Sequence, residues 1–561
     1  MAPATRRWLI VIVAVGALLR VHAIWFGLPY PQARPDEETA IGKAVDIARG
    51  DLNPHFFHWP SLTFYLFAGV LRAAQVVHDL FAPVRDFTFS ERALLTRASV
   101  ALAGTFTILV LFRLSRRIAG DRIALLASGF LAVAVLHVRE SHFATTDTLA
   151  TVFVWLSLAF LVHALEVVPN SAGVVPSSAS PLLLRVASGF TRLFRVASGF
   201  SRKITLFALA GLTAGLATST KYSAAAVALS IVAAQMMLSA RAPRAALSLR
   251  GWMPSAVYVA AMLVGFCLAS PYALFDRATF SRDVLFDLDH LAEGHRGIVL
   301  GRGWAYHGTH SLPYGVGVPV FIAAVAGAVP FVRHYPRAAF VLGAFAVPFY
   351  VVIGSGYTVF FRYVLPLVPL VCLLAAVGVE HAASAVHRRV ASAFRRKNPA
   401  VFIAAALAAA TLVPSLVQSV RFDLVLARTD TRVLAGRWLE QRIRPDDILY
   451  DDGNSYTRLD LWRVPVKRTE YDASRGGFVG VRPDWLVLHE SPLWTYASTS
   501  PALRTLADTD YVLVHEERST IGAAASGMYD LQDAFFVPVA GFSTIARPGP
   551  SIFIYRDRLS R

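Results

Sequence analysis

The sequence predicts a polytopic α-helical membrane protein with about eleven transmembrane helices, interfacial helices in the first outer loop, and a small extracytoplasmic α/β domain at the C-terminal end. Three observations predict it. The 561-residue chain is 55% hydrophobic and 16% charged, more apolar and less charged than soluble globular chains. Apolar runs of about 17–25 residues, long enough to cross a bilayer, recur through the first 420 positions. From residue 421 onward charged residues become frequent and no run is long enough to span.

The formal charge of +17 does not imply nucleic acid. The Lys and Arg residues sit in short tracts between apolar runs, where cytoplasmic loops and anionic headgroups account for them. The two cysteines, Cys267 and Cys372, both lie inside apolar runs, which argues against a disulfide framework. The start, MAPATRRWLIVIVAVGALLR, resembles a signal peptide, but its apolar run continues to Leu28 without a convincing cleavage site. It is expected to be an uncleaved first span over 8–28, with Arg6 and Arg7 in the cytoplasm.

The remaining spans follow from placing every basic tract on one side. The segment SLTFYLFAGVLRAAQVVHDLF (61–81) carries Arg72, Gln75, His78 and Asp79 and is expected to lie in the interface. Spans follow at 94–112, 123–138, 148–165, 204–219, 222–239, 252–270, 312–332, 338–354, 361–380 and 400–418. Arg185, Arg192, Arg195, Arg202, Lys203, Arg241, Arg244, Arg250, Arg333 and Arg337 then fall inside, as does the densest basic tract, 387–399. The short repeat RVASGF (185–190 and 195–200) reads as local slippage rather than a repeated architecture. The transmembrane domain is assigned to 1–420, with its first outer loop at 29–93. In 421–561, DWLVLHE (484–490) and DYVLVHEE (510–517) read as buried strands of an α/β fold.

This topology uses only basic residues, so its placement of the acids is partly independent. Asp36, Glu37 and Glu38 fall outside, with Glu140, Asp147, Lys221, His307, His310, Arg362 and Tyr363. Ionisable groups at membrane depth are costly and suggest function. In ARPDEETAIGKAVDIARG (33–50), Pro35 suits a first helical position. Ala40, Ile41, Ala44, Val45 and Ala48 share a face, and Gly50 can end the helix. The alternative is that these acids only offset the helix dipole; Glu38 is expected to be solvated surface.

These motifs resemble the membrane-embedded C-type glycosyltransferases, in the branch of protein O-mannosyltransferases and aminoarabinose transferases. The resemblance covers residues 8–420 and rests on RPDEE, HWPSLTFYL, RESHFATTDTLATVF, AGLTAGLATSTKYSAAAVAL and FFRYVLPLVPLVCLLAAVG. The single HWPSL departs from the longer proline pair of that branch. The resemblance implies a donor sugar on a polyprenyl phosphate and a first-loop acid serving the acceptor, which could be protein, lipid or glycan.

Such a reaction needs a carboxylate to take the proton of a poorly nucleophilic hydroxyl. Asp36 is the candidate base, with Glu37 orienting the acceptor or sharing the role. It also needs cations for the leaving phosphate, and Arg362 and Lys221 are the candidates. Their alternative is snorkelling to headgroups. Glu140, Asp147, His307 and Tyr363 are candidates for sugar or acceptor contact. Asp147 shares a face with Glu140 if their turn is helical, or caps a helix. No cofactor or metal is required, although His55 and His58 with Asp36 leave a divalent ion open. Direct attack would invert the anomeric centre. The expected setting is a bacterial plasma membrane. A secondary transporter and a non-catalytic scaffold are the competing functions. The first should show repeated halves, and the second gives no reason for acids and cations to converge on one side.

Overall fold

The computed structural model describes residues 1–165, 202–241, 243–295, 297–390, 399–461, 463–522 and 527–559. Arg185, Arg192, Arg195, the RVASGF repeat and residues 391–398 of the basic tract lie outside them. The N-terminal part is a helical bundle. Its first six helices are α1 (Pro3–Val21), α2 (Glu37–Ala48), α3 (Leu62–Phe81), α4 (Phe89–Val133), α5 (Val135–Glu140) and α6 (Asp147–Ala164).

Among the described residues, seven helices are long and apolar enough to cross a membrane. They become eight if the pair Gly303–Val316 and Val318–His334, bent by 115°, is one span. The difference from eleven has local causes. The 45-residue α4 covers two expected spans, which are divided at Gly120, where φ is +84°. The first helix carries Arg6, Arg7 and Arg20 along its 19 residues. The helix Arg202–Thr218 has 17 residues. As a physical class, the chain is nevertheless a polytopic helical membrane protein with a C-terminal α/β domain.

Small residues set how closely the helices pack. A Cβ on Gly211 would lie 2.1 Å from the Tyr258 carbonyl oxygen, and one on Gly215 would lie 2.2 Å from that of Met262. These two glycines, four apart in AGLTAGLATST, let Arg202–Thr218 touch the backbone of Leu249–Ala269. Gly327 and Gly378 do the same for Val318–His334 and Val368–Val390, where a Cβ would meet carbonyl oxygens at 1.9 and 2.0 Å.

In the first loop, α2 and α3 pack through Ala40, Ala44 and Ile47 against Phe64, Phe67, Ala68 and Leu71. Val76, Val77, Leu80 and Phe81 at the far end of α3 are exposed, and α3 is not among the helices apolar enough to cross. A reciprocal cap between Thr88 and Glu91 starts α4.

The C-terminal domain begins after the helix Pro399–Leu426, which runs six residues past the expected boundary. Its strands are β1 (Ile448–Asp451), β2 (Lys467–Arg468), β3 (Glu470–Asp472), β4 (Gly477–Val479), β5 (Trp485–Glu490), β6 (Tyr511–Glu517) and β7 (Ser551–Asp557). Five form one sheet in the order β2-β1-β5-β7-β6, with β1 parallel to β2 and β5, and β7 antiparallel to β5 and β6. The unbroken apolar run of β5 is explained by burial on both faces. Trp485 and Val487 pack with Ala435 and Leu439 of the helix Thr431–Glu440. Leu486 and Leu488 pack with Leu503 and Ala507 of the helix Pro501–Asp510. Between β6 and β7 the chain returns to the bundle, and Phe535, Phe536, Val537, Val539 and Phe542 join the helical core.

Candidate active site

The acids of the first loop separate into three environments. The helix α2 opens at Glu37, two residues later than Pro35 suggests, and Asp36 is its N-cap with φ +77° and no side-chain cap bond. A left-handed backbone at a non-glycine residue is uncommon, though Asp tolerates it better than most. It turns the carboxylate away from the helix amides. Asp36 Oδ2 instead accepts from Arg362 Nη2 at 3.2 Å, and 34% of its side chain stays open.

Glu37 points the other way and is fully buried. Arg97 of α4 grips it with a two-pronged contact, Nη2 to Oε2 at 2.6 Å and Nε to Oε1 at 3.0 Å. The Ala144 amide donates to Oε1 at 2.7 Å. Arg97 is itself held by the Ile24 and Phe26 carbonyls and lies 3.9 Å above the Phe26 ring. Glu38 is not plain surface: its Oε2 is buried without a hydrogen-bond partner. Burial, with the neighbouring Asp36 and Glu37 charges, pushes its carboxyl up to about 7.

The other candidates arrive from separate helices. Asp147 is the first residue of α6 and is 3% exposed. Lys221, on the extended residue after Thr220, pairs with it and lies 4.7 Å from the Tyr363 ring centroid. Asp147 thus meets a cation, and Thr146 rather than Asp147 occupies the cap position. Arg362 and Tyr363 sit in the 3₁₀ turn Phe361–Leu367 that leads into Val368–Val390. The Arg362 guanidinium is a hub, with Nη2 on Asp36, Nε 4.0 Å from Asp147 and Nη1 3.4 Å from Asp533. Its Cζ lies 4.2 Å over the Phe360 ring. Asp36, Asp147, Lys221, Arg362 and Tyr363 are therefore one cluster.

Glu140 and His307 are placed differently. The helix α5 ends at Glu140, and a turn separates it from Asp147, so the two share no continuous helical face. Glu140 is buried and paired with Arg139. His307 is fully buried and its Nδ1 meets Ser311 Oγ at 2.9 Å. Nor do His55 and His58 combine with Asp36. His58 Nδ1 lies 3.0 Å from Asp287, and His55 lies beside Asp51 and Asp276, joining the first loop to the helix Arg277–Glu293. A different trio, Asp451, Asp452 and His489 in the C-terminal domain, is close enough for a metal. Its carboxylates already accept from the Gly453 and Leu459 amides and from Thr499.

Sequence reading missed four participants. Arg34 and Arg139 are buried and converge on Asp533, at 2.8 and 3.2 Å. Burial opposes the charge on Asp533, but Arg34, Arg362 and Arg139 outweigh it and hold the carboxyl below the usual range. Arg97 anchors Glu37. A buried arginine next to an acid leaves a signal in RPDEE and RES, whereas Asp533 becomes visible only when the C-terminal domain docks.

Residues 87–175 match the model of a family described as dolichyl-phosphate-mannose-protein mannosyltransferase. No curated protein sequence matches the chain. Among solved structures, the chain is similar to ArnT from Cupriavidus metallidurans bound to undecaprenyl phosphate, with 16% identity, 98% of each chain covered and a TM-score of 0.49. It is also similar to the oligosaccharyltransferase AglB from Archaeoglobus fulgidus, in complex with an inhibitory peptide and a dolichol-phosphate, with 13% identity and a TM-score of 0.46. That alignment covers 79% of this chain and 58% of the archaeal one. The matched segment 87–175 includes α4, α5 and α6, and so Arg97, Arg139, Glu140 and Asp147. It also holds RESHFATTDTLATVF, one of the motifs on which the resemblance to the C-type membrane glycosyltransferases rests.

Proposed function

We propose that the protein transfers a sugar from a polyprenyl-phosphate donor to an acceptor on the outer side of the membrane, with inversion, and that Asp36 is the base. The observation that carries this is the direct contact between the most open carboxylate of the cluster, Asp36, and Arg362, with Lys221 alongside on Asp147. A base and two cations within one cluster are what this transfer needs.

In the resting arrangement Arg362 holds Asp36. The donor phosphate takes the Nη2 position on Arg362 and frees the Asp36 carboxylate. Asp36 accepts the proton of the acceptor hydroxyl as its oxygen attacks the anomeric carbon. The bond from that carbon to the phosphate oxygen breaks, and the phosphate leaves with its charge spread over Arg362 and Lys221. Tyr363 flanks Lys221 and supports the sugar or phosphate. Glu37 acts by anchoring α2 on α4, since Arg97 and the Ala144 amide occupy its oxygens. Glu140 adjoins the cluster only through Arg139, which also binds Asp533, and His307 stands apart on Ser311.

We retain eleven crossings, a cytoplasmic N-terminus in a bacterial plasma membrane, and division into a transferase domain (1–420) and an extracytoplasmic domain (421–561). The test compares lipid-linked sugars and envelope glycans by mass spectrometry with the wild-type chain and with Asp36→Asn. Accumulation of one lipid-linked sugar and loss of one glycan are expected in the variant. Identical profiles in both would end the proposal.

A further inference from the structure

The segment between β6 and β7 meets the turn that carries Arg362 at three points. Asp530 Oδ2 accepts from the Phe361 amide at 2.8 Å. Gln532 Oε1 accepts from the Val359 amide at 2.6 Å, while its Nε2 donates to the Tyr357 and Ile298 carbonyls at 3.0 Å each. Asp533 reaches the side chain itself, at 3.4 Å from Nη1. The backbone before Arg362 is thus fixed by hydrogen bonds from residues some 170 positions away, and one edge of its guanidinium faces the Asp533 carboxylate as an ion pair.

Asp533 does not float between these partners. Arg34 Nη1 binds its other oxygen at 2.8 Å, and Arg34 and Arg139 lie between the rings of Phe143 and Phe535, with Cζ-to-centroid distances of 4.7–5.6 Å. Arg34 and Arg139 are both fully buried. The carboxylate is therefore held by the joint between the two domains, while Asp36 on the opposite edge of Arg362 is partly open and sits on a loop. One edge of the fork is built to stay, and the other is free to exchange.

We infer that Asp533 is a positioning residue: from the C-terminal domain it fixes the Arg362 guanidinium, so that the fork keeps its aim when Asp36 gives way to the donor phosphate. This rests on the reading that Arg362 receives that phosphate. It gives the C-terminal domain a part in donor binding.

The experiment measures the dissociation constant of undecaprenyl phosphate for the full-length protein in nanodiscs. The variants are Arg362→Ala, Asp533→Asn, Asp533→Glu, Gln532→Ala and the double variant Arg362→Ala/Asp533→Asn. Arg362→Ala should weaken binding about tenfold or more, the usual effect of losing one charge-assisted hydrogen bond, and Asp533→Asn, which removes an ion pair behind that side chain, should weaken it by a smaller but measurable factor. Asp533→Glu should recover part of the loss, and Gln532→Ala should weaken binding through the backbone of the turn. The double variant should bind no worse than Arg362→Ala, because Asp533 acts through that side chain. If Arg362→Ala binds like the wild type, the parent reading of Arg362 fails and this inference fails with it. If Arg362→Ala is weakened but Asp533→Asn and Gln532→Ala are not, or if the double loss is additive, only the role of Asp533 is overturned. Should Asp533→Asn not yield folded protein, Asp533→Glu and Gln532→Ala decide on the same criteria.

Discussion

Two arginine–carboxylate pairs stand at the start of the first-loop helix, and they differ in nearly everything but composition. Arg97 and Glu37 are sealed, joined by three contacts of 2.6 to 3.2 Å and with both side chains at most 1% exposed. Arg362 and Asp36 meet through one contact of 3.2 Å, with the acid 34% exposed. A buried pair fully supplied with hydrogen bonds is costly to break and has nothing left to offer a ligand. A pair with one open partner can exchange that partner. Adjacent acids in RPDEE thus divide into anchor and reagent according to which way the backbone turns each side chain.

The sharpest way to break this comparison is Asp36→Asn. The amide keeps size and most hydrogen bonding but cannot take a proton, so turnover should fall by about 10²–10⁴-fold while the thermal melt is little changed. Full turnover in a purified, equally stable variant would move the base elsewhere. Glu37→Gln should show the reverse profile. It leaves the buried Arg97 charge without its counter-ion, a loss of about 3–5 kcal/mol for broken buried pairs. Poor yield or a much lower melting temperature is expected, and activity per folded molecule should change less than in Asp36→Asn. A stable Glu37→Gln protein with abolished turnover would make Glu37 a reagent as well.

A smaller effect should follow at the cation. Arg362→Lys keeps the charge but not the fork, so apparent donor affinity should drop about tenfold to a hundredfold, the worth of a charged hydrogen bond of about 1.5–3 kcal/mol. Lys221→Ala should weaken the donor in the same assay; unchanged donor kinetics in both would assign these residues to headgroup contact.

The smallest effect belongs to Glu38. Its carboxyl, raised to about 7 from an ordinary 4.5, holds its proton more tightly folded than unfolded. As pH rises from 4.5 to 7 the unfolded chain ionises first, so stability is lost across that window. Glu38→Gln should therefore melt higher than the wild type at pH 8 and show little advantage at pH 4.5. A constant difference across the range would contradict the buried, unpartnered oxygen.

Much of this site was legible in the sequence because it is built from local signals. The acids after the first span, Asp147 at a helix start, Lys221 in a short turn and Arg362 before a long apolar run each interrupt hydrophobic patterns. Their sidedness predicted their meeting. Glu140 and His307 carried the same signal and yet sit apart, Glu140 against Arg139 before a break in the helix and His307 with its Nδ1 on Ser311. The strands β5 and β6 were readable from apolar runs, but not that β7 lies between them, nor that β6 is an edge strand with Val512, Leu513 and Val514 exposed rather than buried. Arg97 and Asp533 were invisible for another reason. Their partners lie 60 and 499 residues away, and no periodicity links positions so distant.

The left-handed backbone at Asp36 has a consequence for how this position can drift. A φ of +77° is tolerated by aspartate, asparagine and glycine and penalises other side chains, β-branched ones most. Aspartate codons reach both asparagine and glycine by a single nucleotide change. A descendant that abandoned the chemistry while keeping the loop would therefore be expected to carry asparagine or glycine here, and rarely valine or threonine. In a lineage, that substitution would be a readable mark of lost activity in a protein that still folds.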